Sequence, residues 1–152
     1  MTARKPLGDA ARAARKEALL DEASREFNRR GVASADLAKI AARVGFSRAS
    51  LYNYCKDRED LARQTYLRAC MALDRSLTRA SNLSGSALDR VETFLRLALE
   101  FDEAPRSVLN EVGYLPASYQ AEVRAARAAN VERLGDLLKR GIVDGSVRDC
   151  DP

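Results

Sequence analysis

Apolar positions along the chain recur every three or four residues, which is the spacing of one face of an α-helix. The strict alternation of apolar and polar residues that is typical of half-buried strands does not occur in the sequence. Capping residues and glycines divide the helical pattern into segments. The pattern predicts seven helices, over about residues 10–30, 37–44, 48–55, 57–79, 86–102 and 105–112, with a last one that begins at Pro116 or Ser118 and runs to Arg140. We therefore expect an all-α protein.

The second and third predicted helices meet across a very tight turn. Gly45 follows the last apolar position of the second helix, where a left-handed residue commonly ends a helix. Ser47 carries an oxygen that can cap the third helix. Ser34 and Asp36 can both cap the second helix, and the sequence does not choose between them. Two helices joined in this way are typical of a helix-turn-helix motif.

The third predicted helix has one apolar row and one polar face. Leu51 lies in the apolar row, with Tyr54 and Cys55 one turn further on. Turning this row inward leaves the other side chains outward, namely Arg48, Ala49, Tyr52, Asn53 and Lys56. Arg and Asn can make paired hydrogen bonds to base edges, and Tyr, Lys and Ser can reach phosphates. This is the chemistry of a recognition helix for the major groove of DNA.

Residues 19–61 resemble the DNA-binding domain of the TetR family of bacterial transcriptional regulators. The matching residues share one register and are Ala23, Phe27, Gly31, Ile40-Ala41, Val44-Gly45-Phe46-Ser47, Leu51-Tyr52-Asn53-Tyr54 and Arg58-Glu59-Asp60-Leu61. Four positions depart from the usual pattern of the family. Ala35 and Asp36 stand where threonines are usual, Ala49 where glycine is common, and Cys55 where an aromatic residue is common.

The resemblance implies a transcriptional regulator, most simply a repressor, that binds a palindromic operator in double-stranded DNA as a homodimer. It implies a DNA-binding head over residues 1–56, with a three-helix helix-turn-helix domain, and a helical regulatory domain over residues 57–152. Arg48 and Asn53 are expected to read base edges. The full set of expected DNA-binding residues is Ser34, Ser47, Arg48, Ala49, Ser50, Tyr52, Asn53, Tyr54, Lys56 and Arg58.

A small-molecule effector in the helical domain is expected to release the repressor by favouring an arrangement that cannot bind DNA. The candidate pocket residues are apolar or aromatic, with one polar residue on an apolar stripe. They are Phe94, Phe101, Leu109, Tyr119, Val123 and Asn130. Ordinary core packing is the alternative for the aromatic residues. Asn130 can equally be a buried amide with satisfied hydrogen bonds, or lie at the edge of the stripe.

The last twelve residues resemble the linker that in many TetR-family members leads into two further long helices. Asp151 and Pro152 are a good N-cap and first-turn pair, and the sequence stops at them. In the family the following helix pair usually builds the four-helix dimer interface. We therefore expect a body that lacks its last helices, and a weakened dimer if the chain ends at Pro152.

Positive charge is concentrated in the part of the chain that contains the helix-turn-helix motif. The net charge is +4, of which residues 1–63 carry +5 and residues 64–152 carry −1. A basic head is the electrostatic pattern expected for binding a polyanion. Residues 1–9, with Arg4 and Lys5, are either a basic arm that contacts DNA on binding or a tail with no role.

Other classes of function find little support in the sequence. No apolar run approaches the ~20 residues that cross a bilayer, and there is no secretion signal, so we expect a cytoplasmic protein. Histidine is absent and the three cysteines lie far apart, so no metal site, cofactor or disulfide framework is expected. Cys55 is either a small buried hydrophobe or a thiol switch.

An enzyme is not expected, because the sequence contains no catalytic motif. The alternative to a DNA-binding regulator is a helical protein-interaction module whose basic head is incidental. A steep dependence of DNA binding on salt would separate the two hypotheses.

Overall fold

The computed structural model describes residues 8–100 and 109–149, and within these ranges every element of regular secondary structure is a helix. Its six α-helices are α1 (Asp9–Arg30), α2 (Leu37–Arg43), α3 (Arg48–Leu51), α4 (Arg58–Ser81), α5 (Ala87–Glu100) and α6 (Ala117–Asp144), with a 3-10 helix at Leu109–Tyr114. The predicted all-α fold class, with a helix-turn-helix head and a helical body, is confirmed. Among the helices of the described ranges, none has the length and apolarity needed to span a membrane.

The chain divides into two compact units. One contains residues 8–65 and 109–116, and the other contains residues 66–100 and 117–149. The helix α4 begins in the first unit and continues in the second. Each unit has buried apolar residues of its own.

In the first unit, α1 packs against α2, and α2 packs against α3. The side of α1 that faces inward carries an apolar stripe. Leu19, Ala23 and Phe27 form that stripe and are all buried. Full burial of a large apolar side chain stabilises a fold by about 1.5–3 kcal/mol. The helix ends where Gly31 adopts a φ of 77° and donates its N–H to the carbonyl of Phe27. The other buried apolar residues of this unit are Leu20, Val32, Ala35, Ile40, Ala41, Phe46, Leu51, Cys55, Leu61, Ala62 and Leu115.

In the second unit, α4, α5 and α6 share an apolar core. Its buried members are Leu77 and Ala80 of α4 with Phe94 and Ala98 of α5. Leu73 and Leu134 pack against this cluster. The core therefore joins α6 to the consecutive helices α4 and α5.

A capping box formed by Ser86 and Asp89 starts α5. The backbone N–H of Ser86 donates to Oδ2 of Asp89 over 2.9 Å, and the N–H of Asp89 donates to Oγ of Ser86 over 3.2 Å. A third bond comes from the other end of the unit, because the N–H of Ala87 donates to Oδ2 of Asp144. The start of α5 is thus fixed both locally and by the end of α6.

The third helix is shorter than predicted. We expected it over residues 48–55, but α3 ends at Leu51. The backbone then forms a turn with the hydrogen-bond spacing of a 3-10 helix, because the N–H of Tyr54 donates to the carbonyl of Leu51, three residues back, over 2.9 Å. The early end has a physical reason: Asp57 caps α4 at once, with its Oδ1 accepting the N–H of Asp60.

The predicted end of the last helix at Gly141 was also wrong. The helix α6 continues to Asp144, and Gly145, with a φ of 77°, follows it. Gly141 is buried, and a Cβ added there would lie 3.0 Å from Cβ of Val147 and 3.3 Å from Cβ of Ala87. Close approach of Val147, rather than a helix end, therefore requires glycine at this position.

We expect Gly141→Ala to lower the free energy of unfolding by about 1 kcal/mol. Overpacking costs about 1–3 kcal/mol, which outweighs the ~1 kcal/mol by which alanine favours a helix over glycine. Denaturant unfolding measures the change. The matched control is Gly135→Ala in the same helix, where an added Cβ meets nothing within 4 Å. This control should stabilise the protein, and a stabilising Gly141→Ala would contradict the packing.

The short helix predicted over residues 105–112 falls largely outside the described residues. The 3-10 helix Leu109–Tyr114 covers its last part.

Candidate nucleic-acid interface

The structure decides which residue caps α2. The carboxylate of Asp36 accepts the N–H of Ala38 over 2.9 Å and that of Lys39 over 3.3 Å. Ser34 is exposed and is not the cap. Asp36 therefore starts this helix through its side chain, at a position where the family usually has threonine.

The turn into α3 is built as the sequence predicts. Gly45 adopts a φ of 69°, in the left-handed region that favours glycine. Oγ of Ser47 accepts the N–H of Ser50 over 3.1 Å and lies 2.9 Å from Oγ of Ser50. The two hydroxyl groups are thus hydrogen-bonded to each other at the exposed start of α3.

The polar face of α3 and of the turn after it is open to solvent. Leu51 is 1% exposed and Cys55 is 4% exposed, so this row faces the core of the head. The side chains on the opposite side are all exposed, namely Arg48, Ala49, Tyr52, Asn53 and Lys56. Residues predicted to contact bases and residues predicted to contact phosphates therefore share one accessible surface.

A groove of about 600 Å³ borders this surface on the side of α2. Three cationic side chains line it, those of Arg48, Lys56 and Arg58. Two of the carboxylates in its wall, those of Asp36 and Asp57, already accept backbone N–H groups as helix caps. Glu59 is the third carboxylate of the wall. The three cations are the groups that an anionic partner such as a phosphodiester strand would contact.

We name α3 and the turn after it, residues 48–54, the recognition segment. A stack of three side chains from separate parts of the chain supports it. The rings of Phe46 and Tyr54 lie 5.1 Å apart and nearly parallel, at 21°. The guanidinium carbon of Arg15 lies 5.1 Å from the centroid of the Phe46 ring. Such cation–π contacts contribute about 0.5–1 kcal/mol at exposed sites. Sequence reasoning missed Arg15, which lies in an exposed, alternately charged stretch of α1.

The exit of the recognition segment is fixed by α4. Gln64 donates from Nε2 to the carbonyl of Tyr54 over 3.0 Å and to Oδ2 of Asp60 over 3.1 Å. The same Oδ2 accepts the N–H of Lys56 over 3.0 Å, and Oδ1 accepts Nη2 of Arg63 over 2.9 Å. Burial alone would raise the pKa of Asp60, but the hydrogen bonds from Lys56, Arg63 and Gln64 and the charge of Arg63 hold it below its ordinary value.

We expect Asp60→Asn to destabilise the protein at pH 7, and to do so less as the pH falls below about 4. Because its pKa is lowered on folding, Asp60 contributes stability above its unfolded pKa and loses it as the pH falls through the folded value. Denaturant unfolding at pH 7 and pH 3 measures the two differences. Asp136→Asn, at an exposed carboxylate of α6, is the control and should change stability little at either pH. An equal loss at both pH values would contradict the argument.

Arg58 is partly committed to the fold of the head. Its Nη1 donates to the carbonyl of Ala33 in the loop before α2, and the residue is half-buried. This bond ties the start of α4 to the start of the helix-turn-helix motif. Arg58 also lines the groove.

Charged side chains also join α1 to α2. Glu26 is buried and forms ion pairs with Arg30 over 3.1 Å and with Arg43 over 3.5 Å. Glu22 also pairs with Arg43, and this hydrogen bond raises the pKa of Arg43. Removing one partner of such a network leaves a buried charge uncompensated. The network therefore holds α2, and with it the turn to α3, against α1.

The two cysteines of the described residues behave as buried hydrophobic side chains. Burial, reinforced by Asp60 and Asp57, raises the pKa of Cys55 to about 11. Burial also raises the pKa of Cys70. Both are therefore thiols near neutral pH, which is the unreactive form. Cys150 lies outside the described residues.

The candidate ligand residues have different environments in the body. Phe94 and Val123 are buried, Phe94 within the α4–α5 core, and Tyr119 is half-buried. Nδ2 of Asn130 donates to the carbonyl of Cys70 over 2.8 Å, so this amide links α6 to α4. Phe101 lies outside the described residues, as does the side chain of Leu109. Within the described ranges, no group of three or more metal-ligating side chains is found.

Comparison with known proteins places the head in a family. A family model described as "Bacterial regulatory proteins, tetR family" matches residues 19–65. A search of curated proteins found no match.

Solved structures extend the similarity over most of the chain. The TetR family transcriptional regulator PfmR from Thermus thermophilus is 22% identical, with a TM-score of 0.75 over 88% of this chain and 75% of that one. AibR, solved in complex with isovaleryl coenzyme A and operator DNA, is 21% identical, with a TM-score of 0.77 over 91% of this chain and 77% of that one. The superantigen PfiT is 18% identical, with a TM-score of 0.74 over 90% and 76%.

The family match coincides with the helix-turn-helix motif whose geometry is described above. The solved structures share the helical body as well as the head. Residues 19–65 thus match the DNA-binding domain of the TetR family of bacterial regulatory proteins, and the fold of the chain is that of solved TetR-family regulators.

Proposed function

We propose that the protein is a repressor that binds a palindromic operator in double-stranded DNA and leaves it when a small molecule occupies the helical body. The observation that carries the DNA-binding part is the exposed polar face of α3, with Leu51 buried beneath it. An α-helix with such a face fits the major groove, where each base pair presents a distinct pattern of donors and acceptors.

Base recognition is assigned to side chains at the two ends of the recognition segment. Arg48 can donate two hydrogen bonds to guanine, and Asn53 can pair with adenine. Between them, the methyl group of Ala49 can contact a thymine methyl. Each good bidentate contact discriminates against the wrong base by about 1–3 kcal/mol.

The remaining expected contacts are to the DNA backbone. Tyr52 and Lys56 are exposed beside the groove, and Arg58 lines it. The hydroxyl pair of Ser47 and Ser50 can reach bases or phosphate. Two further residues, exposed Ser34 and half-buried Tyr54, complete the proposed contact set. Backbone contacts fix orientation and carry no sequence information.

A palindromic operator requires two heads about 34 Å apart, held by a symmetric homodimer. We assign the DNA-binding head to residues 1–56 and the regulatory domain to residues 57–152, and we expect the protein to act in the cytoplasm.

Effector release requires only that the small molecule bind the DNA-incompetent arrangement more tightly than the competent one. The effector would bind among the body residues that include Phe94, Tyr119, Val123 and Asn130, together with Phe101 and Leu109. The structure of AibR with both isovaleryl coenzyme A and operator DNA supports a pairing of DNA and small molecule on this fold.

Selection of bound sequences from a random pool of duplex DNA tests this function. We expect an inverted repeat to be enriched, and the affinity for it to fall steeply with salt. Arg48→Ala with Asn53→Ala should fail to enrich the repeat. No enrichment by the wild-type protein, with no salt dependence of binding, would overturn the proposal.

A helical protein-interaction module is the second candidate function. The observation that favours it is the similarity of fold to PfiT, which is described as a superantigen. Because one fold hosts unrelated functions, only the site can decide between the two. The same selection distinguishes them, since an interaction module would enrich no DNA sequence.

A further inference from the structure

The helix α1 begins ten residues before the first residue of the family match, at Asp9 rather than Leu19. Ten helical residues extend over about 15 Å. None of residues 9–18 is buried, and only Arg15 is half-buried. This extension therefore adds almost nothing to the core of the head.

The core-facing stripe of α1 changes character along the helix. Leu19 and Ala23 are apolar and buried, whereas Arg12, Arg15 and Lys16 continue the same face toward the start of α1. We name these three residues the basic ridge. At spacings of three and four residues, like charges destabilise a helix by about 0.2–0.5 kcal/mol per pair. The three cations therefore do not stabilise the helix.

The basic ridge lies beside the start of the recognition helix. Arg15 packs over the ring of Phe46, and Phe46 directly precedes Ser47, the cap of α3. Arg12 stands one turn further out on the same face and is exposed, as is Lys16. No ion pair joins Arg12 or Lys16 to a carboxylate in the part of the chain that the structure describes.

We propose that the basic ridge is a second DNA-binding surface, which holds the phosphate backbone next to the base pairs read by α3. The partner is a phosphodiester strand because α3 already carries the base-reading groups, and because the exposed ends of the ridge are cations. The inference rests on the proposed operator binding. The ridge would lengthen the contacted duplex without adding sequence preference.

The test uses Arg12→Ala with Lys16→Ala in the full chain and measures binding to the selected operator and to a scrambled duplex over a range of salt. The variant should bind both duplexes more weakly by about the same factor, tenfold or more at low salt. Its salt slope should fall by about 0.9 for each phosphate that is no longer neutralised. Hydroxyl-radical footprinting should show reduced protection only at the flank of each half-site.

Arg75→Ala with Arg79→Ala is the matched control, because it removes two exposed cations at the same spacing from α4 in the second unit. It should leave the salt slope and the footprint unchanged. The helix content and melting temperature of the ridge variant should equal or exceed those of the wild type, since alanine favours helix.

If the ridge variant kept the wild-type salt slope and footprint, or if the control variant bound DNA equally weakly, the basic ridge would not be a DNA-binding surface. The proposed operator binding would be unaffected by either result. A wild-type protein that binds no duplex would overturn the proposed function and the ridge together.

Discussion

Arg48→Ala is expected to lower the preference of the protein for its operator over single-base variants by about 10- to 100-fold. Arg48 is exposed at the first turn of α3, where side chains of a recognition helix reach base edges. A bidentate contact to guanine contributes about 1–3 kcal/mol of discrimination, and 1.4 kcal/mol is a factor of ten. Competition binding against a set of single-base operator variants measures the loss at each position.

Arg58→Ala is the contrasting variant for this experiment. Removing a phosphate contact should weaken binding to every duplex alike and reduce the salt slope by about 0.9. Because Arg58 also bonds to the carbonyl of Ala33, its variant needs a check of stability by unfolding. If Arg48→Ala weakened all sequences equally, the assignment of Arg48 to base reading would fall.

Leu51→Ala is expected to destabilise the protein by about 2–5 kcal/mol and to abolish operator binding at moderate temperature. Leu51 is 1% exposed and is the buried side of the α3 surface, so truncation removes apolar contacts and leaves a cavity. With only four residues, α3 has little intrinsic stability and depends on this contact for its orientation.

The matched control is the same substitution at Leu99 of α5, which is 77% exposed. An exposed leucine makes few contacts, so Leu99→Ala should change stability by less than about 0.5 kcal/mol. Denaturant unfolding and operator binding are measured on both variants. A Leu51→Ala protein as stable as the wild type would mean that α3 is not held to the core as described.

The recognition surface is rigidly supported although α3 itself is short. Three supports reach it from different segments: the Phe46–Tyr54 stack, the bond from Gln64 to the carbonyl of Tyr54, and the Glu22–Arg43 pair that holds α2. Side chains that read bases must keep their geometry before DNA arrives, because ordering them on binding would cost conformational entropy. The supports therefore belong to the DNA-binding function although none of these atoms needs to touch DNA.

The sequence by itself determined the helical class, the turn from α2 to α3 and the face of α3 that lies outward. These features follow from local rules: the period of apolar residues, the left-handed preference of Gly45 and the capping oxygen of Ser47. The capping box at Ser86 and Asp89 was predictable for the same reason.

Only the tertiary structure decided which of Ser34 and Asp36 caps α2, where α3 ends, and why Gly141 is glycine. It also revealed Arg15 over Phe46 and Asn130 bonded to the carbonyl of Cys70. The contacts of Gly141, Arg15 and Asn130 depend on neighbours that folding brings close, as Ala87 is to Gly141. Local periodicity and capping preferences contain no information about such distant neighbours, because the contact exists only once the helices have packed.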